Sequence, residues 1–152
     1  SDVCSSDLIT SLELDPAEME KRNIHLQKKY AEIEENEVRF EELHCEDAEY
    51  LIVAFGSCAR IAQKAMEMAR EEGIKVGLLR PITLWPFPSK AIAARAAQVK
   101  GILTVELNAG QMVEDVRLAV ECKVPVEHFG RLGGIVPDPD EVITALKEKL
   151  IK

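Results

Sequence analysis

The 152-residue sequence predicts an α/β fold: a three-layer αβα sandwich on a mostly parallel five-stranded sheet, with one antiparallel edge strand and a helical arm in front. Three observations predict it. Short apolar runs alternate with longer stretches of helical periodicity, and strands joined through helices pair in parallel. The runs at 50–55, 75–79 and 102–107 are almost continuously apolar, as strands covered on both faces must be. The helix-start signal Asp-Pro-x-Glu occurs twice, at Asp15 to Glu18 and at Asp138 to Glu141, on either side of that alternation.

In chain order, residues 1–8 (SDVCSSDL) are small, polar and aperiodic, lack the basic and apolar regions of a signal peptide, and read as a leader foreign to the protein. Residues 9–37 form a linker and arm helix. Asp15 caps it, Pro16 suits its first position and Glu18 is placed to reach back. Met19, Leu26, Tyr30 and Ile33 make only a narrow apolar stripe, so the helix reads as an arm between domains or subunits and not as core. Residues 38–152 form the compact domain. Val38, Phe40 and Leu43 alternate with charged residues, the mark of a half-exposed strand at a sheet edge. It precedes any crossover helix and is free to run antiparallel.

The first buried strand, 50–55, turns at Gly56-Ser57 into a helix that buries Cys58, Ala62, Ala65, Met66 and Ala69 and stops at Gly73. Strand 75–79 leads into a proline-rich link, 80–88, and an alanine-rich helix, 89–99. Strand 102–107, helix 111–122 and a short strand 126–129 follow. The last helix opens at the second Asp-Pro-x-Glu signal and runs through Val142, Ile143, Leu146 and Leu150.

A net charge of −8 leaves nothing to neutralise nucleic-acid phosphates or to adhere to an anionic membrane. No apolar run approaches the ~18 residues of a membrane span. Cys4, Cys45, Cys58 and Cys122 are far apart with no C-x-x-C pair, against an iron–sulfur or structural zinc site and in favour of reduced thiols in the cytoplasm.

In open α/β sheets, ligands gather beyond the carboxyl ends of the strands. Three loops meet that description. Gly56 and Ser57 open the first helix, but one glycine is no dinucleotide fingerprint, and a helix cap is the simpler reading. Cys58 beside them reads as a small buried residue before a reactive thiol. The stretch from Arg80 to Pro88 holds three prolines and the only tryptophan, Trp85, and reads equally as a plug closing the sandwich or as a protein contact. The third loop places Glu106 at a strand end with Asn108, Gly110 and Gln111, around a helix N-terminus free to hold a ligand or a neighbouring backbone. Glu106 has no histidine or second acid near it in sequence, and His25, His44 and His128 lie in three separate elements, so no catalytic or metal-binding residue is assigned. If the third loop is a site, its side chains converge beside Ser57 and Arg80.

Together, R-P-I-T-L-W-P-F-P and E-L-N-A-G-Q-M, each behind a buried strand, resemble the transketolase C-terminal-like domain of 2-oxoacid:ferredoxin oxidoreductase alpha subunits. L-D-P-A-E-M-E, K-K-Y-A-E-I-E-E-N-E-V-R and V-A-F-G-S-C-A-R-I are most similar to the 3-methyl-2-oxobutanoate (2-ketoisovalerate) type. The match runs from about Leu14 to Lys152. The resemblance implies an enzyme that decarboxylates a 2-oxoacid oxidatively, passes the acyl group to coenzyme A and two electrons to ferredoxin. It implies thiamine diphosphate and magnesium held between an N-terminal pyrimidine-binding domain and a beta subunit, with iron–sulfur clusters on a further subunit. This chain then supplies subunit packing and is inactive alone. The rival readings are a self-sufficient small-ligand or nucleotide-binding module, and an adaptor using the arm as a coiled coil.

Overall fold

The computed structural model describes residues 12–151, so the expected leader lies outside the described residues. The chain divides into a helical unit up to Asn36 and an α/β unit from Glu37. In the first unit, α1 (Pro16–Asn36) is capped by Asp15, whose Oδ1 accepts from the backbone N of Ala17 at 2.8 Å. Glu18 does not reach back as the sequence suggested; it holds Lys21 Nζ at 2.6 Å, because an exposed carboxylate one turn from a lysine gains a charged partner there. None of the helix's residues is buried, in keeping with its thin stripe.

The second unit alternates strands and helices: β1 (Phe40–Leu43), β2 (Tyr50–Ala54), α2 (Gly56–Glu71), β3 (Val76–Pro81), α3 (Ser89–Ala96), β4 (Gly101–Glu106), α4 (Met112–Val120), β5 (Val126–Gly130) and α5 (Pro139–Leu150). The sheet order is β1-β3-β2-β4-β5, parallel throughout except for β1, which runs antiparallel against β3 at the edge. Ile52, Ala54, Leu78, Leu103 and Val105 face one way and pack on α2 and α5. Leu51, Val53, Leu79 and Ile102 face the other way and pack on α3 and α4. Two apolar layers with a sheet between them make the αβα sandwich, and the two-faced burial explains why β2 and β4 read as unbroken apolar runs. The strand β3 runs two residues further than its apolar pattern, through Arg80 and Pro81: Pro81 faces Phe40 of β1 in an edge pairing that tolerates a missing N–H. A bidentate pair of Arg95 with Glu42, at 2.9 and 2.5 Å, ties α3 to the edge strand. At α5 the Asp138 N–H donates to Glu141 Oε2 at 3.1 Å, the return half of the capping box read from the sequence.

Candidate functional site

Parallel strands followed by helices bring the loops after β2, β3, β4 and β5 to one end of the sheet, and the antiparallel β1 brings its first residue, Phe40, to the same end. Every sequence-assigned candidate stands there.

Glu106 is the last residue of β4 and is 1% exposed. A carboxylate removed from water must be matched by donors, and α4 provides them. Oε2 accepts from the backbone N–H groups of Gln111 at 3.1 Å and Met112 at 2.8 Å, and Oε1 from Val113 at 3.0 Å. The N-terminus of α4 is therefore not free, as the sequence suggested, but filled from within by the strand that precedes it. A carboxylate here also complements the positive end of the helix.

The sequence also left Glu106 without a histidine. The structure supplies one. Thr104 of β4 is in register with His128 of β5, and His128 Nδ1 lies 3.4 Å from Glu106 Oε1 and 3.3 Å from Thr104 Oγ1. Its Nε2 lies 3.3 Å from the carbonyl oxygen of Asn108. Separation of 22 positions along the chain hid this contact; adjacent parallel pairing of two predicted strands was the signal that could have found it. Asn108 Oδ1 accepts from Gly110 N–H at 2.8 Å, closing the turn in which Gly110 takes φ +111°. Gly130 is needed for close approach: a Cβ there would collide with the Asn108 carbonyl oxygen and lie 2.6 Å from His128 Nε2.

Ser57, just after β2, and Glu106, the last residue of β4, stand at the same end, because β2 and β4 are parallel neighbours. Ser57 is exposed at the second position of α2, and Gly56 before it takes φ +57°. Cys58 is buried, and burial, with a smaller contribution from the Glu106 charge, raises its thiol pKa, which keeps it protonated and unreactive. Arg80 does not join this group. It turns to the sheet edge and meets Glu41 Oε2 at 2.9 Å. The proline-rich loop divides its residues: Pro86 and Pro88 are buried and Phe87 packs against the α3–α4 layer, whereas Trp85 is 55% exposed. Its shape is fixed by Thr83, whose Oγ1 donates to the Pro86 carbonyl at 2.8 Å and accepts from Arg39 N–H at 3.0 Å. The loop thus plugs the sandwich with Phe87 and points Trp85 outward.

The end is strongly apolar. Among the described residues of the α/β unit, nine large apolar side chains are exposed, and eight of them stand here: Phe40, three on the β3–α3 loop, Leu107 after β4, and three between β5 and α5. Only Leu118, on α4, lies elsewhere. The loops at the opposite end contribute none, so the asymmetry belongs to the strand ends and not to the surface in general. Among the described residues, no three His, Cys, Asp or Glu side chains are grouped to hold a metal ion, and no helix is long and apolar enough to cross a membrane.

The sequence and the fold have known counterparts. Residues 48–142 match the family "Pyruvate:ferredoxin oxidoreductase core domain II". The chain is 46% identical to the ketoisovalerate oxidoreductase subunit VorB of Methanothermobacter marburgensis, over 96% of this chain and 43% of that subunit. It therefore spans less than half the length of that relative. A solved structure of 2-oxoglutarate:ferredoxin oxidoreductase from Magnetococcus marinus, with 2-oxoglutarate, coenzyme A and succinyl-CoA bound, superposes with a TM-score of 0.77 at 26% identity, covering 90% of this chain and 24% of that one. A split-gene transketolase, an inactive beta4 tetramer, shares the fold with a TM-score of 0.63 at 21% identity, over 74% and 41% of the two chains. The match covers the sheet from β2 to the first residues of α5, the frame that carries all three strand-end loops, and on that ground the chain belongs to the pyruvate:ferredoxin oxidoreductase core domain II family.

Proposed function

We propose that this chain is the assembly domain of the alpha subunit of a cytoplasmic, thiamine-diphosphate-dependent 2-oxoacid:ferredoxin oxidoreductase that acts on a branched-chain 2-oxoacid. Residues 38–152 form the domain and 9–37 the linker and arm. The observation that carries this reading is the apolar strand end. In this fold class polar ligands collect at that end, yet here it presents Ile82, Leu84, Trp85, Leu107, Ile135 and Val136 to solvent, a surface suited to a protein partner.

The described residues do not fit thiamine diphosphate and its magnesium. The ion needs several oxygen ligands, and the one buried carboxylate at this end, Glu106, already accepts three backbone N–H bonds. The decarboxylation, acyl transfer to coenzyme A and electron transfer to ferredoxin belong on this reading to the pyrimidine-binding domain, the beta subunit and the cluster-bearing subunit. This chain's own residues set loop positions: Glu106 and His128 hold 107–111, Thr83 holds 82–86, and the apolar side chains between them meet the partner. The substrate class follows the VorB relative, which is a ketoisovalerate oxidoreductase subunit.

The test is reconstitution. With thiamine diphosphate, magnesium and coenzyme A supplied, the chain alone should give no 2-oxoacid-dependent reduction of a dye acceptor. Joined to the pyrimidine-binding domain and mixed with the other subunits, it should support turnover, faster with 3-methyl-2-oxobutanoate than with 2-oxoglutarate. Turnover by the chain alone would end the assembly reading, and preference for 2-oxoglutarate would end the substrate assignment.

A further inference from the structure

The two edges of the sheet are finished differently. At one, β1 is four residues long, and its Glu41 and Glu42 hold Arg80 and Arg95. A short, charged edge strand deters further pairing. At the other, β5 is only half-buried along its whole length, whereas its neighbour β4 is buried throughout. Half of the backbone of β5 is bonded to β4. Ile102 N–H donates to the Pro125 carbonyl at 3.0 Å and Arg131 N–H to the Glu106 carbonyl at 3.3 Å, with Val126 opposite Ile102. That register turns residues 125, 127, 129 and 131 toward β4, so Val126, His128 and Gly130 aim their backbone groups outward. Arg117 Nη2 donates to the Val126 carbonyl at 3.3 Å. The N–H and C=O groups of His128 and Gly130 meet no backbone partner there among the described residues.

A cleft of about 390 Å³ opens at the start of this edge, lined by Val120, Val124, Pro125 and Val126 together with Arg117 and Lys123. The charges around it leave one cation over. Lys123 is paired with Glu121 at 3.0 Å, while Arg117 has no acidic partner among the described residues. Glu127 shares the face of Phe129, toward α5, and not the face of Val126 that the cleft occupies. Glu148 and Lys149 in the last turn of α5 offset each other, and at the far end of β5 Arg131 meets Glu141 at 3.4 Å. Outward backbone groups two residues apart are matched by another extended backbone, and a cleft beside them selects one of its side chains. We infer that the edge of β5 receives an additional strand from a partner subunit, an extended segment with a large apolar side chain for the cleft and an acidic residue for Arg117. Residues before Glu37 join this unit at β1, four strand spacings or about 19 Å from β5, which points to a different polypeptide as the source. A second copy is the poorer match: twofold pairing reverses the strand and sets Arg117 and Lys123 against the Arg131 end, where Glu141 is already engaged. The inference rests on the assembly reading above and adds a second surface to it.

Amide hydrogen exchange, read at residue resolution in the chain alone and in the complete oxidoreductase, tests it. The His128 and Gly130 amides should exchange quickly in the chain alone and roughly 100-fold or more slowly in the complex. Glu127 and Phe129, whose amides already face β4, should change much less. Arg117→Glu with Lys123→Glu should weaken binding of the partner subunits by roughly ten-fold or more, and Leu118→Glu should leave it unchanged. Circular dichroism checks that the reversed form folds; if it does not, the exchange of the unchanged protein decides alone. Equal His128 and Gly130 rates in a complex that sedimentation shows to be assembled would overturn the added strand and leave the assembly reading standing. Undiminished binding by a folded reversed form would overturn the match to an acidic segment. Protection that grows with the concentration of the chain alone would assign the edge to a second copy and overturn the partner named here. A chain that joins no partner subunit removes both this inference and the assembly reading.

Discussion

Glu106 is out of water, and three backbone N–H groups at the start of α4 satisfy its carboxyl oxygens. Removing the carboxylate strips the acceptor from a buried helix N-terminus, so Glu106→Ala should lower stability by about 3 kcal/mol in urea unfolding, more than an exposed cap loses. A loss under about 1 kcal/mol would mean that the cap is dispensable. The residue's position was legible in the sequence; its role was not, because a polar residue at a strand end looks the same whether it faces a ligand or the helix it feeds. Cys45 gives a pH signature. Burial, reinforced by the charge of Glu42, pushes its thiol from the usual 9.0 to about 11. A pKa raised by folding contributes stability below the unfolded value and loses it as pH rises through the folded one. Stability should therefore fall between about pH 9 and 11, by up to ~3 kcal/mol from this group. Thermal melts across that range should show a smaller fall for Cys45→Ala, and an equal fall would assign the effect to other groups.

At the scale of elements, the strands and helices were readable because each carries its own period: two-faced apolar runs for β2 and β4, a 3.6-residue stripe for α2, a capping signal for α5. Boundaries set by pairing were not. Pro81 ends β3 only because Phe40 lies opposite, and His128 reaches Glu106 only because β5 lies beside β4 in register. The proline-rich loop read equally as plug and contact, and it is divided: Phe87 enters the core and Trp85 does not. The consequence for Trp85→Ala is a small change, under ~1 kcal/mol, where a core aromatic would lose ~3–5 kcal/mol. Denaturant titration of that single variant separates the two, and a loss in the larger range would place Trp85 in the core after all.

For the whole molecule, the distribution of apolar surface says more than its amount. Scattered exposed leucines are ordinary on any protein, but eight of nine at one end of a sheet are not scattered. That clustering was hidden in the sequence because its members come from the edge strand and three separate connections, joined only by the sheet order. The proposed assembly function gives it a physical role: a sandwich whose strand ends meet a partner and whose buried acid, Glu106, braces the loop beside them. Incorporating Leu84→Glu with Ile135→Glu, and separately Leu118→Glu, into the complete oxidoreductase and measuring the assembled fraction by sedimentation tests that role most directly. The strand-end variant should fold yet leave the complex largely unassembled, while Leu118→Glu assembles as the unchanged protein does; equal assembly of all three would contradict the claim that this end is the domain's working surface.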